Sequence, residues 1–189
     1  MPKDNIERAI AKGSGADGDA VAMESVTYEG YGPGGVAILV EAITDNRNRT
    51  GSEVRHAFSS HDGSMGEPGS VAWTFEKKGE LVADGSRYAE DDLLAAIDAG
   101  AEDVSRDGDV WEVVTQPTDL HAVREALEAA GVELESAELV MRPTTTTPVE
   151  EDQVGRLMRL MEALEEHDDV LAVHANFDIE AEVLERVAG

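Results

Sequence analysis

Three closely spaced arginines, Arg47, Arg49 and Arg55, carry the chemistry this chain can offer. A guanidinium is always charged and presents a planar fork of donors, which suits phosphate and carboxylate. Arg47 and Arg49 stand in Asp45-Asn46-Arg47-Asn48-Arg49-Thr50, two cations among residues that favour helix starts. On a helix they would point about 200° apart. In a turn, they and Asn46 could face one surface. One reading is contact with a nucleic-acid phosphate through Asn46, Arg47, Asn48, Arg49 and Arg55. The other is ion pairing with Asp45, Glu53 or Glu41, which would lock a strand–helix junction.

Aromatic and basic residues nearby extend the first reading. Tyr28, Tyr31 and Trp73 could stack on bases, although aromatics on strands also serve as core. Lys77 and Lys78 either enlarge a basic patch or end a strand in solvent.

Other chemistries fail on spacing. Gly30, Gly32 and Gly35 satisfy G-x-G-x-x-G, but they precede an apolar strand rather than open a helix, so a tight β-β connection is expected. The five histidines show no metal-ligand spacing, and no cysteine exists. No serine sits in G-x-S-x-G. Glu165, Glu166, Asp168 and Asp169 read as a solvated helix end. The expectation is therefore no enzyme, no metal and no cofactor.

The charge balance narrows the partners. The net charge is −26, with −3 over residues 23–78, −13 over 79–149 and −9 over 150–189. Bulk nucleic acid should repel such a chain, since Lys and Arg supply most non-specific affinity. Contact must come from a local patch, and the arginine segment lies in the least acidic part of the body. An acidic surface that docks a basic protein is the competing view. No apolar run approaches 18 residues, so no membrane span is expected. The absence of cysteine and of a signal-peptide pattern makes a cytoplasmic location the simplest reading.

These residues need a scaffold, and the periodicities supply one. Ile6, Ala9 and Ile10 predict a short helix over 4–12, followed by a Gly-Ser linker. Strands are expected at 24–30 and 35–43 around the Gly-Pro-Gly-Gly turn. A helix follows from about 48 to 60, with Thr50 and Glu53 as a capping box or Asp45 or Asn46 as an earlier cap. Val71, Trp73 and Phe75 alternate as a strand over 70–76. Residues 79–142 then read strand 79–83, helix 89–99, strands 102–106 and 110–115, helix 119–130 and strand 135–142. That β-α-β-β-α-β order is ferredoxin-like. Asp107-Gly108 or Gly108-Asp109 forms its hairpin turn. A long amphipathic helix over 149–166, a strand at 170–176 and a helix at 180–187 finish the chain. The expected class is α+β, with two ferredoxin-like α/β domains, one inserted into the other, and a short amino-terminal helix. The outer domain takes 23–76 plus 149–189, the insert takes 77–148, and 1–22 hold the short helix and linker.

The segments Tyr-Glu-Gly-Tyr-Gly-Pro-Gly-Gly-Val-Ala (28–37) and Thr-Asp-Asn-Arg-Asn-Arg-Thr (44–50) resemble the YebC/PmpR family, which includes a mitochondrial translational activator of cytochrome c oxidase. Residues 53–58, 68–79 and 1–13 extend the resemblance almost end to end. It implies three domains, the third inserted in the second. It also implies a basic, helical amino-terminal domain, of which this chain would begin at the last helix. A truncation, an internal start or a short variant would each give that pattern. The resemblance further implies a gene-expression regulator, with DNA or the ribosome and its RNA as partner. Translation of difficult stretches such as consecutive prolines is one role, and DNA-bound transcriptional control the other.

Overall fold

The computed structural model describes residues 22–188, so the helix expected over 4–12 and its linker lie outside the described residues. The elements run β1 (Glu24–Tyr31), β2 (Ala37–Thr44), α1 (Arg47–Ser60), β3 (Ser64–Met65) and β4 (Phe75–Asp84). Next come α2 (Leu94–Asp98), β5 (Asp103–Asp107), β6 (Val110–Thr115), α3 (Leu120–Ala129) and β7 (Leu134–Pro143). Then follow β8 (Thr147–Pro148), α4 (Glu151–Glu165), β9 (Val170–Ala175), β10 (Phe177–Asp178) and α5 (Ala181–Ala188). Helices with mainly antiparallel sheets make this an α+β chain. It divides into two compact units, one running to Phe75 and resuming at Pro143, the other spanning Glu76–Arg142.

The first unit is built on a sheet of order β3-β1-β2-β9. Its β1–β2 hairpin turns at Gly34 and Gly35, both at positive φ, where a side chain would strain the backbone. Gly32 N–H donates to Val36 O at 2.8 Å and closes that turn. Val36, Ile38 and Val40 point to one face and pack against Val54 and Phe58 of α1 and Leu157, Leu160 and Leu164 of α4. All eight are fully buried, each contributing about 1.5–3 kcal/mol. Gly30 is required beneath α1, because a Cβ there would lie 2.7 Å from both the Phe58 ring and Ser64 O. Asn176 ties the carboxyl-terminal strand to the hairpin: its Oδ1 accepts Ala37 N–H at 2.7 Å.

The second unit carries a sheet of order β5-β6-β4-β7. Leu81, Ala83, Trp111 and Val113 alternate onto the face covered by Leu93 and Ala96 from the first helical segment and Val123 and Leu127 from α3. Asp107 pairs with Val110, so Gly108-Asp109 is the hairpin turn, with Gly108 at φ 57°. Gly131 at φ 87° follows the end of α3.

One expectation is corrected. Residues 70–76 do not form a strand of the first sheet. Ala72–Thr74 make a single 3-10 turn, and one strand runs unbroken from Phe75 to Asp84. The reason is a buried acid: Glu29 takes the N–H groups of Gly69, Val71 and Ala72, which a ladder would otherwise use. Of the caps the sequence offers for α1, the structure uses Asn46, whose side chain accepts Arg49 N–H at 3.1 Å; Thr50 is already inside the helix.

Candidate nucleic-acid interface

The start of α1 is fixed by a polar chain. Thr44 Oγ1 accepts Asn46 N–H at 2.9 Å. The Thr50 hydroxyl lies 2.7 Å from that of Thr44 and donates to Asp169 Oδ2 at 2.8 Å. Asp169 comes from the turn before β9 and is 4% exposed. The carboxylate run at 165–169 is therefore not wholly a solvated helix end. Arg49 Nη2 donates to the same Asp169 oxygen at 2.9 Å and to Asp45 Oδ1 at 2.8 Å. The Asp169 hydrogen bond, then that of Asp45, raise the Arg49 pKa above its ordinary value.

The opposite flank of α1 is different. Arg47, Asn48, Ser52, Arg55, His56 and Ser59 are all exposed. Ser52 donates to Asn48 O at 2.9 Å and Ser59 to Arg55 O at 3.0 Å, so both hydroxyls fold back on the helix. None of these six is acidic. Among the described residues, the Arg47 and Arg55 guanidiniums have no ion-pair partner.

Glu53, His167 and Asp169 lie close enough together to suggest a cation site, beside a shallow cleft also lined by Arg49, Glu166 and Asp168. The bonding argues otherwise. His167 Nδ1 accepts Asp169 N–H at 3.1 Å, so the neutral ring carries its proton on Nε2 and donates to Glu53 at 2.8 Å. No imidazole lone pair then remains for a metal, and Arg49 already occupies Asp169.

Glu29 is the buried residue that sequence reasoning missed. It is 7% exposed, and its carboxylate accepts Gly69 N–H at 2.7 Å and Val71 and Ala72 N–H at 2.8 Å. Burial pushes its pKa up, but the three amide donors outweigh burial and hold it below the ordinary value. The available signal was an acid between two tyrosines in a stretch, residues 25–40, that is otherwise without charge.

The family model described as TACO1/YebC second and third domain matches residues 23–177. The chain belongs to the TACO1/YebC family. It is 51% identical over 190 residues to a probable transcriptional regulatory protein of Rubrobacter xylanophilus, covering 100% of this chain and 76% of the relative. A probable transcriptional regulatory protein of Desulfotalea psychrophila matches to the same extent. A crystal structure of a conserved hypothetical protein from Aquifex aeolicus superposes with a TM-score of 0.79 at 46% identity, over 97% of this chain and 76% of that one.

In this TACO1/YebC chain the nine expected contact residues are dispersed. Arg47, Asn48 and Arg55 share the exposed flank of α1. Asn46 is the cap and Arg49 is neutralised by Asp45 and Asp169. Tyr28 packs against the core beneath α1 and its hydroxyl donates to Arg47 O at 3.2 Å, so it is no free stacking ring. Burial raises its pKa, with Arg47 opposing. Tyr31 lies on the other sheet face, its hydroxyl 3.2 Å from Ser70 O. Lys77 and Lys78 belong to the second unit. Lys77 is exposed, whereas Lys78 pairs with Glu102 at 2.8 Å and Glu76 at 3.6 Å. Among the described residues, no helix is long and apolar enough to cross a membrane.

Proposed function

We propose that this TACO1/YebC chain is a non-enzymatic, cytoplasmic regulator of gene expression that meets RNA phosphates of the ribosome through the outer flank of α1. One observation carries the reading. Arg47 and Arg55 present charge on an acid-free helix face, while their neighbour Arg49 is internally neutralised. A strongly acidic body with a small cationic flank suits one fixed docking position better than sliding along duplex. The family resemblance adds translation of difficult stretches such as consecutive prolines.

Two further readings have support of their own. Relatives at 51% identity carry the name probable transcriptional regulatory protein, which favours a DNA target. The acid excess of residues 79–149 favours a docking module for a basic protein. For the fold, the β-α-β-β-α-β order and the β5-β6-β4-β7 sheet support a ferredoxin-like second unit. Division of the chain after Phe75 and again after Arg142 supports its insertion into the first.

Co-sedimentation with purified ribosomes across a salt series, beside a gel shift on mixed duplex DNA, tests the reading. Ribosome binding that weakens with salt, without a DNA shift, is the expected result. A DNA shift alone moves the function to transcription.

A further inference from the structure

Trp73 is the most exposed large apolar residue described, at 72%, and Tyr31 stands at 40%. Trp73 Nε1–H donates to Ser70 O at 3.0 Å, and the Tyr31 hydroxyl donates to the same oxygen at 3.2 Å. One shared acceptor brings the phenol hydroxyl and the indole N–H to the same point. The loop beneath them is stiff. Glu29 grips three of its amides, Gly66 N–H donates to Glu29 O at 2.7 Å, and Thr74 O accepts from both the amide and the hydroxyl of Thr144. What remains free is π surface without a polar handle.

That donor arrangement selects the ligand. A proline-rich segment offers carbonyl acceptors and few donors, so a site that reads it needs free donors. Both donors here are engaged. A nucleobase needs only an aromatic face. We propose that Trp73 and Tyr31 form a stacking platform for an unpaired nucleobase, so that the nucleic acid this protein meets is single-stranded where the platform touches it. The inference rests on the nucleic-acid reading above and adds the strand state of the target. In a duplex every internal base is already stacked on both sides, so the platform discriminates against paired nucleic acid. Its position also fits the charge balance, −3 over residues 23–78 against −13 over 79–149. Tyr31 faces away from α1, so platform and arginine flank can be altered separately.

The test is tryptophan fluorescence of the full chain titrated with an unstructured 12-nucleotide RNA, the same RNA in duplex form, and an oligoproline peptide. The second tryptophan, Trp111, is 6% exposed, and the Trp73→Phe variant isolates its background. The expected result is quenching of Trp73 by the single strand and not by the duplex. Trp73→Ala should weaken single-strand binding at least ~5-fold, with Trp73→Phe close to wild type by anisotropy. If the single strand binds and Arg47→Ala/Arg55→Ala weakens it, while Trp73 emission and Trp73→Ala affinity are unchanged, the platform is overturned and the arginine reading stands. Quenching by oligoproline instead of RNA overturns the base-stacking assignment. Absence of binding by any RNA overturns both.

Discussion

Arg49 and Asp169 are 120 positions apart, yet the Arg49 Nη2 donates to Asp169 Oδ2 at 2.9 Å. The contact makes Arg49 part of the frame that joins β2, α1 and the approach to β9. Asp169→Ala removes hydrogen bonds from Arg49 and Thr50 to a buried charge and should cost about 1.5–3 kcal/mol. Arg49→Ala should also destabilise, because it strips Asp169 of its cation. Urea unfolding checks both, and wild-type midpoints would return Arg49 to the solvent-facing set.

Arg47 and Arg55 should behave in the opposite way. The double Arg47→Ala/Arg55→Ala variant loses no ion pair seen among the described residues, so stability should stay within about 0.5 kcal/mol. Nucleic-acid or ribosome affinity should fall. The slope of log affinity against log salt should flatten by about 1.4–1.8 if both contact phosphate. Equal affinity and slope would remove the α1 flank from the interface.

The contrast between these arginines shows what the sequence made legible. Asp45 and Glu53 lie four residues from Arg49 on either side, so helical spacing alone names them as partners. Asp169 was hidden because its role depends on a chain reversal that local pattern does not encode. The apolar runs at 36–43 and 154–164 announced their elements, since burial periodicity is a local signal. The alternation Val71, Trp73, Phe75 misled for the same reason. It has a strand's period, but Glu29, 42 residues before Val71, takes the backbone donors the ladder needed. Contacts distant in sequence decided both the site and the one misplaced strand.

Glu29→Gln should release the 66–75 loop. The amide keeps one acceptor and turns an NH₂ toward backbone donors, at a cost of about 2–3 kcal/mol. The wild type should also show a matching acid limb. Burial raises the Glu29 pKa, but the three amides lower it further, so its folded value lies below the unfolded one. Stability from this group is then present above the unfolded value, about 4.3, and is lost as pH falls through the folded value. Thermal melts at descending pH should show less acid sensitivity in Glu29→Gln than in wild type. Identical acid limbs would place the sensitivity elsewhere.

Glu80 should titrate with the opposite sign. Burial first, then the neighbouring Glu112 charge, raise its pKa, and Arg142 only partly offsets them. A single Arg142 Nη1 serves both carboxylates, with Glu80 at 2.7 Å. A carboxyl whose folded pKa is raised costs stability when ionised and returns it as pH falls through the folded value toward about 4.3. Glu80→Gln should therefore be neutral or stabilising at pH 7, because Arg142 keeps Glu112 as partner. Its advantage should shrink on acidification. Arg142→Ala leaves two adjacent carboxylates without a cation and should lose about 1.5–3 kcal/mol at pH 7, recovering part of it at lower pH. Melts of the three proteins across this range decide the matter. A pH-independent loss in Arg142→Ala would show that this side chain acts by packing its aliphatic stem rather than by charge.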